Sequence, residues 1–138
     1  MKWEDIDLVW DINRRAFKTD AWSREAIERE FSLPYSIRYV LELGSEIVGY
    51  SILWLIKGEA FLMTFAIAPE YRGRGLGKYF LGEIIKDISG KARVLQLDVR
   101  KSNLPAIRLY RELGFKVRRE RARFYSDGES ALVMELEL

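Results

Sequence analysis

Cysteine and histidine are both absent from this 138-residue chain. The first absence excludes a disulfide framework, a thiol nucleophile and a zinc–thiolate site. The second excludes Ser-His-Asp catalysis and imidazole-ligated metals, so no metal is expected. An excess of one charge is lacking as well: 23 Lys and Arg against 21 Asp and Glu give a formal net charge of +2, too small for charge alone to argue for a nucleic-acid partner. The basic stretch Lys116 to Arg123 is a local excess, and it reads as a solvated or substrate-facing strand edge ahead of a nucleic-acid patch. No apolar run approaches the roughly 20 residues of a membrane span, and nothing at the N-terminus looks like a secretory leader. The expectation is a cytoplasmic protein with no membrane partner, folded as a single domain over 1–138 with a core of its own.

The chain does contain a strand, a glycine loop and a helix in direct succession. Phe61 to Ala68 is an apolar run rich in aromatic and β-branched residues, closed by Pro69. Glycines follow at 73, 75 and 77, and Leu76, Tyr79, Phe80, Ile84, Ile85 and Ile88 recur at helical spacing. Glycines let the backbone approach a ligand, N–H groups at a helix start point outward, and the helix dipole favours negative charge. Arg72, Arg74 and Lys78 add cations there, so the expected guest is a phosphate or pyrophosphate. A P-loop is ruled out because Lys78 is followed by Tyr79, and the dinucleotide pattern fails because Phe80 stands at its third glycine.

Elsewhere Glu4–Phe17 reads as a helix, and Ser23 as the N-cap of a second helix reaching about Phe31. Two strands around Leu43-Gly44-Ser45-Glu46 form a hairpin. After the helix at 76–89 come a strand at Val94–Val99 and a helix capped by Ser102 or Asn103 and ended by Gly114. Two final strands lie near Phe115–Arg121 and Ala131–Leu138. The pattern predicts an α/β (mixed α+β) sheet of about six to seven strands with helices on both faces.

Three of these stretches, in this order, resemble the GCN5-related N-acetyltransferase (GNAT) superfamily. They are the strand with its Arg72-Gly-Arg-Gly-Leu-Gly77 loop, the strand Val94-Leu-Gln-Leu-Asp-Val-Arg100, and Asn103-Leu-Pro-Ala-Ile-Arg-Leu-Tyr-Arg-Glu-Leu-Gly-Phe115. The segment Ala21-Trp22-Ser23, the run Leu97 to Asn103 and the tail Arg123 to Met134 look like the branch of ribosomal-protein alanine N-acetyltransferases (RimI type) and archaeal N-terminal acetyltransferases. Two departures stand out: that branch usually has Glu where Asp98 stands, and Glu-Asp-Ala in place of Glu129-Ser130-Ala131.

The resemblance implies transfer of the acetyl group of acetyl-CoA to an amine by direct attack on the thioester. It implies that backbone N–H groups from Arg74 to Lys78, in the loop Arg72, Gly73, Arg74, Gly75, Leu76, Gly77 and Lys78, hold the pyrophosphate. Phe65, Ala66 and Ile67 would pair with the pantetheine arm, in a strand that splays from its neighbour, and Asn103 would bond the cofactor or cap its helix. Tyr110 is the candidate general acid, since a phenol near pKa 10 keeps its proton where a thiol near 8.5 loses it. Asp98 is the candidate base unless it faces solvent or pairs with Arg100 or a neighbouring arginine. Glu129 is a second base or a ligand for the substrate ammonium. Trp22, Tyr35 and Tyr125 would flank an open groove for a peptide.

A protein or peptide N-terminus is the preferred acceptor, because an α-amine with pKa of about 7.7–8.0 is partly neutral at pH 7 whereas lysine at about 10.4 is not. A carboxylate base without histidine suits the former. A small amine, a lysine side chain, or a CoA-binding module without turnover remain as alternatives, and the protein is expected as a monomer or homodimer.

Overall fold

The computed structural model describes residues 1–138. Helices α1 (Ile6–Ala16) and α2 (Arg24–Glu30) lead into strands β1 (Ser36–Leu43), β2 (Glu46–Ile56) and β3 (Glu59–Ile67). Helix α3 (Leu76–Ile88), strand β4 (Val94–Arg100), helix α4 (Leu104–Glu112) and strands β5 (Lys116–Arg121) and β6 (Ala131–Glu137) complete the chain. Two helix starts are where the sequence places them: Ser23 Oγ accepts from Ala26 N–H at 3.1 Å and Asn103 Oδ1 from Ala106 N–H at 3.3 Å. None of the helices is long and apolar enough to cross a membrane.

The six strands form one sheet in the order β1-β2-β3-β4-β6-β5, antiparallel throughout except for β3 beside β4. One face is covered by α1 and α2, through Ile6, Val9, Ile12 and Ile27 against Tyr50, Ile52 and Ala66. The other is covered by α3 and α4, through Phe80, Leu81, Ile84, Ile88 and Ile107 against Leu53, Leu95, Leu97 and Met134. Helices on both faces and a mixed sheet agree with the sequence pattern. The α3 stripe differs in one place: Tyr79, spaced like a core residue, is 59% exposed, and Leu81 is buried instead.

The feature that creates a site is the parting of β3 from β4. They pair over only four positions, Glu59–Leu62 with Val94–Leu97. In the β2–β3 ladder Ile52 faces Thr64 and Leu53 faces Leu62, leaving Met63 as an extra residue. Such a bulge bends its strand and increases local twist, and it lies at the point where pairing with β4 stops. Because of it Leu62 and Phe65, three residues apart, both pack toward the α3–α4 core. Beyond Leu62 the edge of β3 facing β4 has no partner strand, and the gap opens as a V.

Candidate active site

Two cavities flank the V and share Phe17, Phe65, Asn103 and Tyr110 in their walls. The larger, about 630 Å³, is lined by Phe65, Ala66 and Ile67 of β3, by Arg72, Gly73, Gly75, Leu76 and Gly77, and by one side of α4. The smaller, about 360 Å³, lies across the split between β3 and β4 and carries Trp22, Asp98, Phe124 and Tyr125. A molecule lying in the first with its reactive end in the split would meet whatever enters the second.

The larger cavity has the chemistry of an anion cradle. Gly73 and Gly75 take φ of +80° and +77°, left-handed values that disfavour a side chain. The first α3 hydrogen bond runs from Tyr79 N–H to the Gly75 carbonyl, 3.1 Å, and no side chain caps the helix. The N–H groups of Leu76, Gly77 and Lys78 therefore have no intrahelical acceptor and stand ready for a ligand. Gly77 differs from these two: a Cβ there would make only ordinary contact, 3.6 Å from Leu109 Cδ2 and 3.9 Å from Ile67 Cγ1, so neither its backbone nor its packing demands glycine. Arg72 braces the loop by donating from Nε to the Ile67 carbonyl at 3.3 Å. The side chains of Arg74 and Lys78 do not line the cavity; they lie toward Tyr71 and Glu112. These residues fit the phosphate-bearing end of acetyl-CoA.

Tyr110 projects from α4 between the two cavities, its ring 5.6 Å from that of Phe115. The residue is only 8% exposed, and no hydrogen bond within the chain occupies its hydroxyl. Burial, with a smaller contribution from Tyr125, pushes its pKa well above the phenol range, so it carries its proton throughout the working pH range. Asp98 is on the wall of the smaller cavity and receives Arg121 Nε at 3.2 Å on Oδ1. The basic edge strand β5 thus sends one of its arginines to the site, and Arg121 also lies over the Phe124 ring.

Two expected site residues lie elsewhere. Tyr35, placed in the acceptor groove by the sequence reading, stands ahead of β1 at the opposite end of the sheet. It packs edge-on against Trp54 at 5.2 Å and lines neither cavity. Glu129 is close to the site but lines neither cavity. One of its oxygens accepts from Ser102 N–H and the other from Arg100, both at 2.9 Å. Those two donors hold its carboxyl below the usual range, and its oxygens are committed to bracing.

The residues that hold the walls were given no such role by sequence reasoning, which offered Arg100 only as a partner for Asp98, a place Arg121 takes. Arg100 gathers Asp20, Asp127, Glu129 and Thr19, and its guanidinium carbon lies 4.1 Å from the centre of the Tyr125 ring. Asn13, fully buried on α1, accepts from Trp22 N–H at 2.7 Å and donates to Tyr50 Oη at 2.6 Å. Tyr50 in turn meets Thr64 Oγ1 at 2.7 Å, beside the bulge. A polar residue among the apolar positions of α1 was the available signal for this relay. For Arg100 the signal was weaker, an arginine closing an apolar strand.

Residues 6–115 match the profile of the acetyltransferase (GNAT) family. A candidate ribosomal protein bS18-alanine N-acetyltransferase of Bacillus subtilis is 36% identical over 137 residues, covering 97% of this chain and 90% of its own. The [ribosomal protein bS18]-alanine N-acetyltransferase of Escherichia coli is 32% identical over 139 residues, covering 96% and 90%. A crystal structure of the ribosomal-protein-S18-alanine N-acetyltransferase from Escherichia coli superposes with a TM-score of 0.91 at 28% identity, over 99% of this chain and 90% of that one. The split sheet, the glycine loop and the likeness along the full length agree, and the chain belongs to the acetyltransferase (GNAT) family as an N-acetyltransferase.

Proposed function

We propose that the protein transfers the acetyl group of acetyl-CoA to the N-terminal α-amine of a protein or peptide. The observation that carries this reading is the placing of Tyr110 between a cavity ending in the glycine loop and a second one walled by Trp22, Phe124, Tyr125 and the carboxylate of Asp98. The free β3 edge at Phe65–Ile67 and the N–H groups at the start of α3 hold and orient the CoA thioester. Asp98 takes the proton of the attacking amine. Backbone donors along that edge would stabilise the charge developing on the acetyl carbonyl oxygen as the C–N bond forms, and Tyr110 would give its proton to the departing sulfur. The aromatic walls suit the backbone and side chains of an extended chain end, which makes a protein N-terminus the acceptor this cavity fits.

Matched peptides test the assignment, with acetylation read by mass. One carries a free N-terminal Ala, Ser or Met and no lysine; the other has a blocked N-terminus and a single lysine. The expected result is acetyl transfer to the first and little to the second at pH 7. Transfer to the lysine peptide alone, or only to a small polyamine, would overturn the acceptor reading and leave the cofactor reading intact.

The glycine loop gives a second expected outcome. Gly75→Ala forces a side chain into the left-handed region, at a cost of about 1–2 kcal/mol, in the loop that presents the α3 N–H groups. The KM for acetyl-CoA should rise about tenfold while the KM for the peptide stays nearly constant. Equal rises in both would mean the loop does not act on the cofactor side alone.

A further inference from the structure

Arg100 ends β4, and its guanidinium joins three segments that are remote in sequence. Nε and Nη2 fork onto Asp20 at 2.7 and 2.8 Å, and Nη2 also reaches Thr19 Oγ1 at 3.1 Å. Nη1 is divided between Asp127 at 2.8 Å and Glu129 at 2.9 Å. Those five hydrogen bonds equal the five N–H groups a guanidinium owns. The Tyr125 ring lies against its face at 4.1 Å, and the side chain is only 17% exposed. A cation so fully engaged has no donor left for a substrate, so what it does is hold its neighbours in place.

We propose that Arg100 is the positioning residue that assembles the acceptor mouth before any acceptor arrives. One clamped loop, between α1 and α2, carries Phe17 and Trp22; the other, between β5 and β6, carries Phe124 and Tyr125. Both are walls of the smaller cavity, and neither is joined to the other by regular structure. The second loop needs such a fastening, because Arg123 enters it with φ of +52°, a left-handed turn held by its surroundings. The first is fastened again two residues after Asp20, where Asn13 receives Trp22 N–H. Glu129 carries the clamp on to Ser102 N–H, just ahead of α4 and its Tyr110.

Walls fixed in advance spare the acceptor the entropy of ordering two loops, so loss of the clamp should appear in acceptor binding. The cofactor cavity does not include Arg100 and should be spared. Some loss of global stability is expected, since a forked and networked arginine is worth more than an isolated surface pair, but the core of β4, built from Leu95, Leu97 and Val99, is untouched and the fold should persist. Lysine is a strict test because it keeps the charge but cannot make the planar fork.

The inference rests on the smaller cavity receiving the acceptor, and the experiment separates the two. Arg100→Lys and Arg100→Met are compared with the native enzyme on the free-N-terminus peptide, alongside thermal unfolding and limited tryptic digestion. Expected are a rise of about tenfold in acceptor KM, an acetyl-CoA KM held within about twofold, and faster cleavage after Lys18 and Arg123. Asp20→Asn, which leaves Arg100 its other partners, should give a smaller shift in the same direction and serves if the Arg100 variants do not fold. Parallel rises in both KM values, or an Arg100→Lys enzyme that matches the native one in kinetics and digestion, would overturn the proposal. If the native enzyme acetylates no N-terminal peptide, the acceptor reading fails, while the digestion pattern still decides whether Arg100 clamps the two loops.

Discussion

Tyr110→Phe is expected to lower kcat by about two to three orders of magnitude, the usual worth of a positioned proton donor, with the KM for acetyl-CoA nearly unchanged. The variant is a clean one. The phenyl ring keeps its contact with Phe115 and its place beside Phe65 and Asn103, and the hydroxyl removed has no hydrogen bond in the chain to leave unpaired. The thermal midpoint should therefore move little, which separates chemistry from folding. Burial raises the pKa of this phenol, and it would raise the proton affinity of a departing thiolate in the same dry place, since desolvation disfavours both anions. Donor and acceptor stay matched as a result.

The raised value also fixes the sign of a pH effect. A phenol held above its ordinary value near 10 remains protonated and competent as pH climbs from 7 to about 10, and loses its proton only beyond that. The native kcat should show no decline over this interval from loss of the acid. A fall centred near pH 8 that vanishes in Tyr110→Phe would keep Tyr110 as the acid but overturn its raised pKa. A Phe variant with native kcat at every pH would overturn the acid itself.

The glycine loop and the strand and helix around it were legible in the sequence because their signals are local. A strand closed by Pro69, glycines at fixed offsets and an apolar helical stripe all lie within about thirty residues, and each follows from backbone preferences that need no tertiary context. Caps at Ser23 and Asn103 were equally readable. The bulge at Met63 was not, because apart from Thr64 the run Phe61–Ala68 is apolar on both faces, and one extra residue leaves no break in an alternation that is not there. Tyr35 shows the opposite failure. An aromatic residue near the start of a strand is consistent with a substrate wall or with an edge contact, and only the sheet order places it beside Trp54, far from the split. The Arg100 clamp spans sequence separations of 80, 27 and 29 residues, beyond the reach of any periodicity.

Asp98→Asn carries the second large effect, and reading it requires separating two roles for one carboxylate. If Asp98 takes the proton of the amine, the amide should cut kcat/KM for the peptide by about a hundredfold at pH 7. The same change would also strip Arg121 of its partner at 3.2 Å, and a loosened β5 edge could slow the enzyme by itself. Three comparisons separate these. First, the loss should shrink as pH rises toward 9, because an α-amine with pKa of about 7.7–8.0 sheds its own proton there and needs a base less; damage to β5 would persist. Second, Arg121→Met, which removes the pair from the other side, should leave kcat within about threefold, since a partly exposed pair contributes little to the fold. Third, Glu129→Gln should act through acceptor KM, in the manner of the Arg100 clamp to which its oxygens are committed. Asp98→Glu should keep most of the activity, as it returns a carboxylate to the same wall on a stem one methylene longer. An Asp98→Asn enzyme whose deficit is the same at pH 7 and pH 9 would remove Asp98 as the base and leave it the counter-ion of Arg121.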